Sequence, residues 1–181
     1  SSARQCAVNR QELEHVVRAA AEIAGEREIV VIGSQAILAS PGPIPAAMLR
    51  SMEADVYPAN RPDRADIIEG AIGAGSLFEE SFGYHADGVR PETAKLPRGW
   101  EDRAIRFTPA NSQAIAICPS PNDLAVAKLI SGREKDLAWL RAGIGAGLFD
   151  VETVRERLNA VEVEPEHIRL ADARLTAMTN A

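Results

Sequence analysis

The run Ile29-Val30-Val31-Ile32 limits the fold more than any other stretch of the chain. All four residues are β-branched, which restricts χ1 in a helix and suits a pleated sheet. A strand apolar on both faces must be covered above and below, so this one is expected at the centre of a sheet. Gly33-Ser34 then turns it directly into a short apolar helix, Gln35 to Ala39. Ser40-Pro41-Gly42-Pro43 ends that helix, and Pro45 keeps the following connection irregular.

Around this strand the patterns alternate between helix and strand. Residues 10–24 carry Leu13, Val16, Val17, Ala20, Ile23 and Ala24 at helical spacing, with Asn9 and Glu12 as an N-terminal cap and Gly25 as a stop. A second strand, Ala54 to Tyr57, ends at Pro58. Asp63 is expected to cap a helix bearing Ile67, Ile68, Ala71 and Ile72, and Ser76 with Glu79 reads as a capping box for a short helix through Phe82. Residues 84–89, 103–108 and 113–118 supply further strands. From Asn122 onward the pattern is helical over 122–131, 133–142, 151–160 and 165–178, interrupted at Gly132 and at Gly143 to Gly147. The expected architecture is α/β (α+β): a mixed β-sheet flanked by helices, with a helical C-terminal segment. Residues 1–120 would form the α/β core and 121–181 a helical segment packed on it as one domain.

Composition removes several classes of function. Of 181 residues, 46% are hydrophobic and 25% charged, a globular balance that needs neither metal nor disulfide to fold. No apolar run reaches the roughly 18 residues of a membrane helix, and no secretion signal is visible. Cys6 and Cys118 lie far apart, so no disulfide partner is expected; Cys118 reads as a buried thiol and Cys6 lies near the N-terminus. This usage suits a reducing cytoplasm. His15, His85 and His167 are isolated from one another, and no zinc-ligand spacing occurs. A net charge of −6 argues against broad nucleic-acid binding, although Arg90, Lys95, Arg98, Arg103 and Arg106 concentrate positive charge in what reads as a solvated loop surface. The glycine runs 70–75 and 143–147 do not link a strand to a helix as a dinucleotide fingerprint requires. Trp100 and Trp139 read as anchors of loop and core.

Chemistry concentrates at two places. Residues two apart on a strand share a face, so Glu53 and Asp55 set two carboxylates roughly 6–7 Å apart at their Cα atoms. Their mutual repulsion raises one pKa unless a cation intervenes, and a hard divalent cation such as Mg²⁺ suits two carboxylates completed by substrate phosphates. At Gly33-Ser34 a buried strand meets a helix start, where backbone N–H groups favour phosphate. The plainer alternative makes Ser34 an N-cap and Glu53/Asp55 a solvated edge-strand face.

Three segments, VVIGSQAIL (30–38), SMEADVYP (51–58) and NDLAVAKLISGREKDLAWLRA (122–142), resemble the polymerase-beta type of nucleotidyltransferase. That family pairs a Gly-Ser turn with an acidic-x-acidic strand. The third segment looks like the Arg-x-Lys-Asp helix of bacterial minimal nucleotidyltransferases related to abortive-infection and other toxin–antitoxin systems. On a continuous helix Val126, Leu129, Ile130, Leu137 and Leu140 would form an apolar stripe, with Lys128, Ser131 and Lys135 opposite it. The two lysines would then need an anion between them, such as a triphosphate, or would form a solvated ridge paired with Asp123, Glu134 and Asp136. Arg133 falls on the apolar stripe, so either Gly132 breaks the helix or a carboxylate, Asp136 or Asp123, holds Arg133.

The resemblance implies transfer of a nucleoside monophosphate from an NTP to an acceptor. It assigns Glu53 and Asp55 to Mg²⁺, Gly33 and Ser34 to the β- and γ-phosphates, and Lys128 and Lys135 to the triphosphate. Asp136 would orient a lysine or assist the acceptor. The acceptor classes are tRNA, a protein, or a small molecule such as an antibiotic; the alternative is an inactive nucleotide- or partner-binding member that acts as an antitoxin. Position 53 departs from the pattern with Glu for Asp. About 18 residues separate Ser34 from Glu53, an insert that must loop out or cover the site. The strands 103–108 and 113–118 carry no third carboxylate, so either two carboxylates form the catalytic set, or Asp102 or Asp136 substitutes, or the fold is kept without the reaction.

Overall fold

A computed structural model describes residues 8–180; Cys6 lies outside them. Helix α1 (Arg10–Ala24) starts as its sequence dictates. The Asn9 side chain accepts from Glu12 N at 2.8 Å, and the Glu12 carboxylate accepts from Asn9 N at 3.1 Å. Gly25 closes it in the left-handed region at φ 65°.

The sheet holds β1 (Glu28–Ile32), β2 (Glu53–Pro58), β3 (His85–Gly88), β4 (Ile105–Phe107) and β5 (Ile115–Cys118) in the order β3-β2-β1-β5-β4. β1 is central, antiparallel to β2 and parallel to β5; β2 and β3 are parallel, β4 and β5 antiparallel. On one face Val31, Ala54, Val56, Ala86 and Ala116 join a large apolar cluster. Leu13, Val16 and Val17 of α1 and Ile68 of α2 (Ala65–Ile72) cover this face, together with Leu124, Val126 and Leu129 of α5 (Pro121–Ser131). On the other face Val30, Ile32, Tyr57 and Ile117 pack with Trp100. Both faces of β1 are therefore buried, each aliphatic side chain contributing about 1.5–3 kcal/mol. Cys118 is buried, which pushes its thiol up to about 12.

The remaining helices are α3 (Leu77–Phe82), α4 (Trp100–Arg103), α6 (Glu134–Gly145), α7 (Val151–Leu158) and α8 (Pro165–Thr179). Several local expectations need correction. Asp63 caps nothing: it pairs with Arg61 at 2.9 Å inside a 3₁₀ turn, Pro62–Arg64, that precedes α2. The Ser76 hydroxyl does accept from Glu79 N at 3.1 Å, but the Glu79 side chain reaches Gly75 N rather than closing the box on Ser76. The first part of 103–108 belongs to α4, and α6 runs on to Gly145 because its glycines need no left-handed φ before Gly147.

Candidate active site

Because β1 and β2 are antiparallel, the carboxyl end of one meets the amino end of the other, and Ile32 pairs with Asp55. The next residue, Gly33, has φ 84° and ψ −168°, a region essentially closed to side chains. A Cβ at Gly33 would lie 2.6 Å from Asp55 Oδ2. Glycine is required here for the backbone and again for the carboxylate that rests against it.

Ser34 opens a six-residue 3₁₀ turn, Ser34–Ala39, and makes no cap bond within it. So short a turn has little dipole to offer an anion, which corrects the expected helix start. Ser34 Oγ instead accepts from Lys128 Nζ at 2.8 Å. Lys128 also donates to Asp136 Oδ1 at 3.2 Å, and Arg133 Nε donates to Asp136 Oδ2 at 2.8 Å. Gly132, at φ 60°, ends α5, and Arg133 becomes the N-cap of α6. Both solutions to the Arg133 problem therefore operate: the helix breaks, and Asp136 holds the guanidinium. Asp123 is engaged elsewhere, by Arg103 and Arg157. The seven-residue register of Lys128 and Lys135 is lost, yet both still face one space.

That space is a cavity of about 900 Å³. Gly33, Ser34, Glu53, Asp55, Lys128, Lys135 and Asp136 all line it. The proline-rich insert does not loop away: Ala47, Met48, Arg50, Ser51 and Met52 form one wall. Buried Gln35 pins that wall by donating to Ser51 O at 2.8 Å. Trp139 is buried against Phe149, ring centroids 5.2 Å apart, and also borders the cavity. β2 is an interior strand, so Glu53 and Asp55 are not on a solvated edge.

Lys95, expected on a solvated loop surface, also borders the cavity, and one acidic lining residue was missed by sequence reasoning. Asp87 of β3 stands beside Asp55 in parallel register and faces the same cavity. Asp102 does not line it. The acidic residue in the 84–89 segment was visible, but nothing local says that β3 pairs with β2.

The charges are unevenly balanced. Burial, then the neighbouring charges of Asp87 and Glu53, push the Asp55 carboxyl up to about 6, against the pull of Lys128 and Lys135. Burial lowers the Lys128 ammonium, opposed by Asp136. Burial alone would raise Asp136, but its hydrogen bonds with Arg133 and the charge of Lys128 outweigh that and hold it down at about 2. Asp136 is thus already neutralised within the protein, whereas among the described residues no Lys or Arg forms an ion pair with Glu53, Asp55 or Asp87. Among the described residues no three His, Cys, Asp or Glu side chains converge as a closed metal site would need. The oxygen donors suit an open Mg²⁺ site, in which one or two carboxylates are completed by phosphate and water.

The family model described as "nucleotidyltransferase of unknown function (DUF6036)" matches residues 11–175. The chain belongs to this family. No curated protein and no solved structure matches it. The family's nucleotidyl-transfer role implies a nucleotide substrate, and the matched stretch includes every residue that lines the cavity. No helix among the described residues is long and apolar enough to cross a membrane.

Proposed function

We propose that this nucleotidyltransferase moves a nucleoside monophosphate from an NTP to an acceptor hydroxyl and releases pyrophosphate. One observation carries the reading: the Gly-Ser turn, a group of carboxylates and the lysines Lys128 and Lys135 border a single cavity. Glu53 and Asp55, with Asp87 beside them, would hold Mg²⁺, and Ser34, Lys128 and Lys135 would hold the β- and γ-phosphates. Bound there, Mg²⁺ would neutralise charge that develops on the transferring phosphoryl group. The acceptor oxygen bonds to the α-phosphorus, the bond from that phosphorus to the bridging oxygen breaks, and the acceptor proton passes to a cavity carboxylate. Asp136 keeps Lys128 aimed into the cavity by binding its ammonium from behind. Lys128 is buried and already bonded to Ser34, so phosphate entry exchanges the Ser34 contact for a charged one.

We place the acceptor among tRNA, a protein and a small molecule; the likeness of segment 122–142 to toxin-type nucleotidyltransferases is the ground for the first two. The test is incubation with each α-labelled NTP, Mg²⁺ and total tRNA, then with protein extract. Transfer by the wild type and at least a hundredfold loss in Asp55→Ala and Lys128→Met is the expected result. No transfer to any acceptor, with nucleotide still bound, would instead identify an inactive, antitoxin-like binder.

A further inference from the structure

We infer that His85 and Glu79 form a support that sets the orientation of Asp87, so that His85 is a positioning residue of the site. This rests on the nucleotidyl-transfer reading above, in which Asp87 joins the metal-facing carboxylates.

His85 and Asp87 are two apart on β3 and share a face, as do Glu53 and Asp55 on β2. Parallel register sets His85 beside Glu53 and Asp87 beside Asp55. Within this patch His85 Nε2 lies 3.3 Å from Asp87 Oδ1, a close polar contact without hydrogen-bond alignment. The other side of the ring faces α3, where Nδ1 lies 2.5 Å from Glu79 Oε2, off the line of a hydrogen bond. Glu79 is itself anchored: its Oε1 accepts from Gly75 N at 3.0 Å, and its own N–H donates to Ser76 Oγ at 3.1 Å. A continuous chain of polar contacts therefore runs from the start of α3 through Glu79 and the imidazole to Asp87. Neither Glu79 nor His85 lines the cavity; Asp87 does.

The purpose of such a chain follows from the charges. Three carboxylates on two adjacent strands repel one another, and without restraint Asp87 would turn away from Asp55. Asp55 has Gly33 against it, but among the described residues Asp87 makes no other side-chain hydrogen bond or ion pair. The imidazole, confined between Glu79 and Asp87, supplies the missing restraint. Outer partners of this kind orient ligating groups, and their loss typically costs 10–100-fold in metal affinity or activity.

The experiment is calorimetric binding of Mg²⁺ with the four α,β-methylene NTPs, which keep the triphosphate but cannot transfer, alongside thermal melting of each variant. We expect His85→Ala to melt near the wild type and to bind the preferred analogue 10–100-fold more weakly. His85→Gln, whose amide can donate to Asp87 from the same position, should recover binding to within about threefold. In an Asp87→Asn background, His85→Ala should cost nothing further. Glu79→Ala, a change at the helix end of the chain of contacts, should weaken binding at least threefold, and it carries the test if His85→Ala does not fold. Wild-type binding by His85→Ala or Glu79→Ala, no recovery by His85→Gln, or a loss that adds to that of Asp87→Asn overturns the inference and leaves nucleotidyl transfer standing. Failure of the wild type to bind any analogue overturns both.

Discussion

Asp55 is the residue on which the site's electrostatics turn, and its behaviour can be read without any ligand. Burial together with Asp87 and Glu53 holds its carboxyl at about 6, against an ordinary 3.8. Between about pH 4 and pH 6 the unfolded chain has released this proton while the folded chain still holds it. The folded state binds more protons there, so stability falls as pH rises through that window and is level above it. Two pK units correspond to about 3 kcal/mol, which solvent at the cavity mouth trims to about 2 kcal/mol. Asp55→Asn, neutral throughout, should exceed the wild type by about 2 kcal/mol in urea unfolding at pH 8 and match it at pH 4. Equal stability at pH 8 would mean that Asp55 ionises freely. The strand period alone placed Glu53 and Asp55 on one face, whereas Asp87 sits in an equally plain strand whose neighbour no local pattern names.

Among the elements, the α5–α6 junction shows how a break becomes useful. Gly132 was legible as a break, and it ends α5 at φ 60°. Its missing side chain also makes room for α8: a Cβ there would lie 2.1 Å from the Arg174 guanidinium carbon. Arg174 uses that room to donate to Leu129 O at 2.8 Å, capping the free carbonyl end of α5 with a positive charge. The break lets α6 start at a new angle and swings Lys135 and Asp136 to the cavity beside Lys128. Arg174→Ala should cost about 1 kcal/mol in unfolding free energy, with hydrogen exchange faster at the end of α5 than elsewhere. A variant as stable as the wild type would show that water replaces the guanidinium at no cost. The Arg174 contact was not legible because the two residues it joins are 45 positions apart.

Across the whole molecule α5 is joined to α4 and α7 by buried charge, and to α7 by the apolar core as well. Asp123 of α5 is fully buried and accepts from Arg103 of α4 at two 3.0 Å contacts, from Ser120 at 2.8 Å, and from Arg157 of α7 at 3.3 Å. Asp123→Ala would leave two guanidinium groups facing a buried gap and should cost about 3 kcal/mol by guanidinium chloride denaturation. A loss under 1 kcal/mol would show that both arginines escape to solvent. By itself the sequence determined the elements and their chemistry: the doubly apolar β1, the Asn9 cap, the break at Gly132, the Gly-Ser turn and the paired acids. Those features are written in windows of a few residues, where side-chain period, φ preference and capping act. The tertiary structure decided which strand lies beside β2, and so that Asp87 joins Asp55. It decided too that Lys128 meets Ser34 across 94 positions of chain. Such pairings are chosen by burying every apolar face at once, a condition on the whole chain that no short window contains.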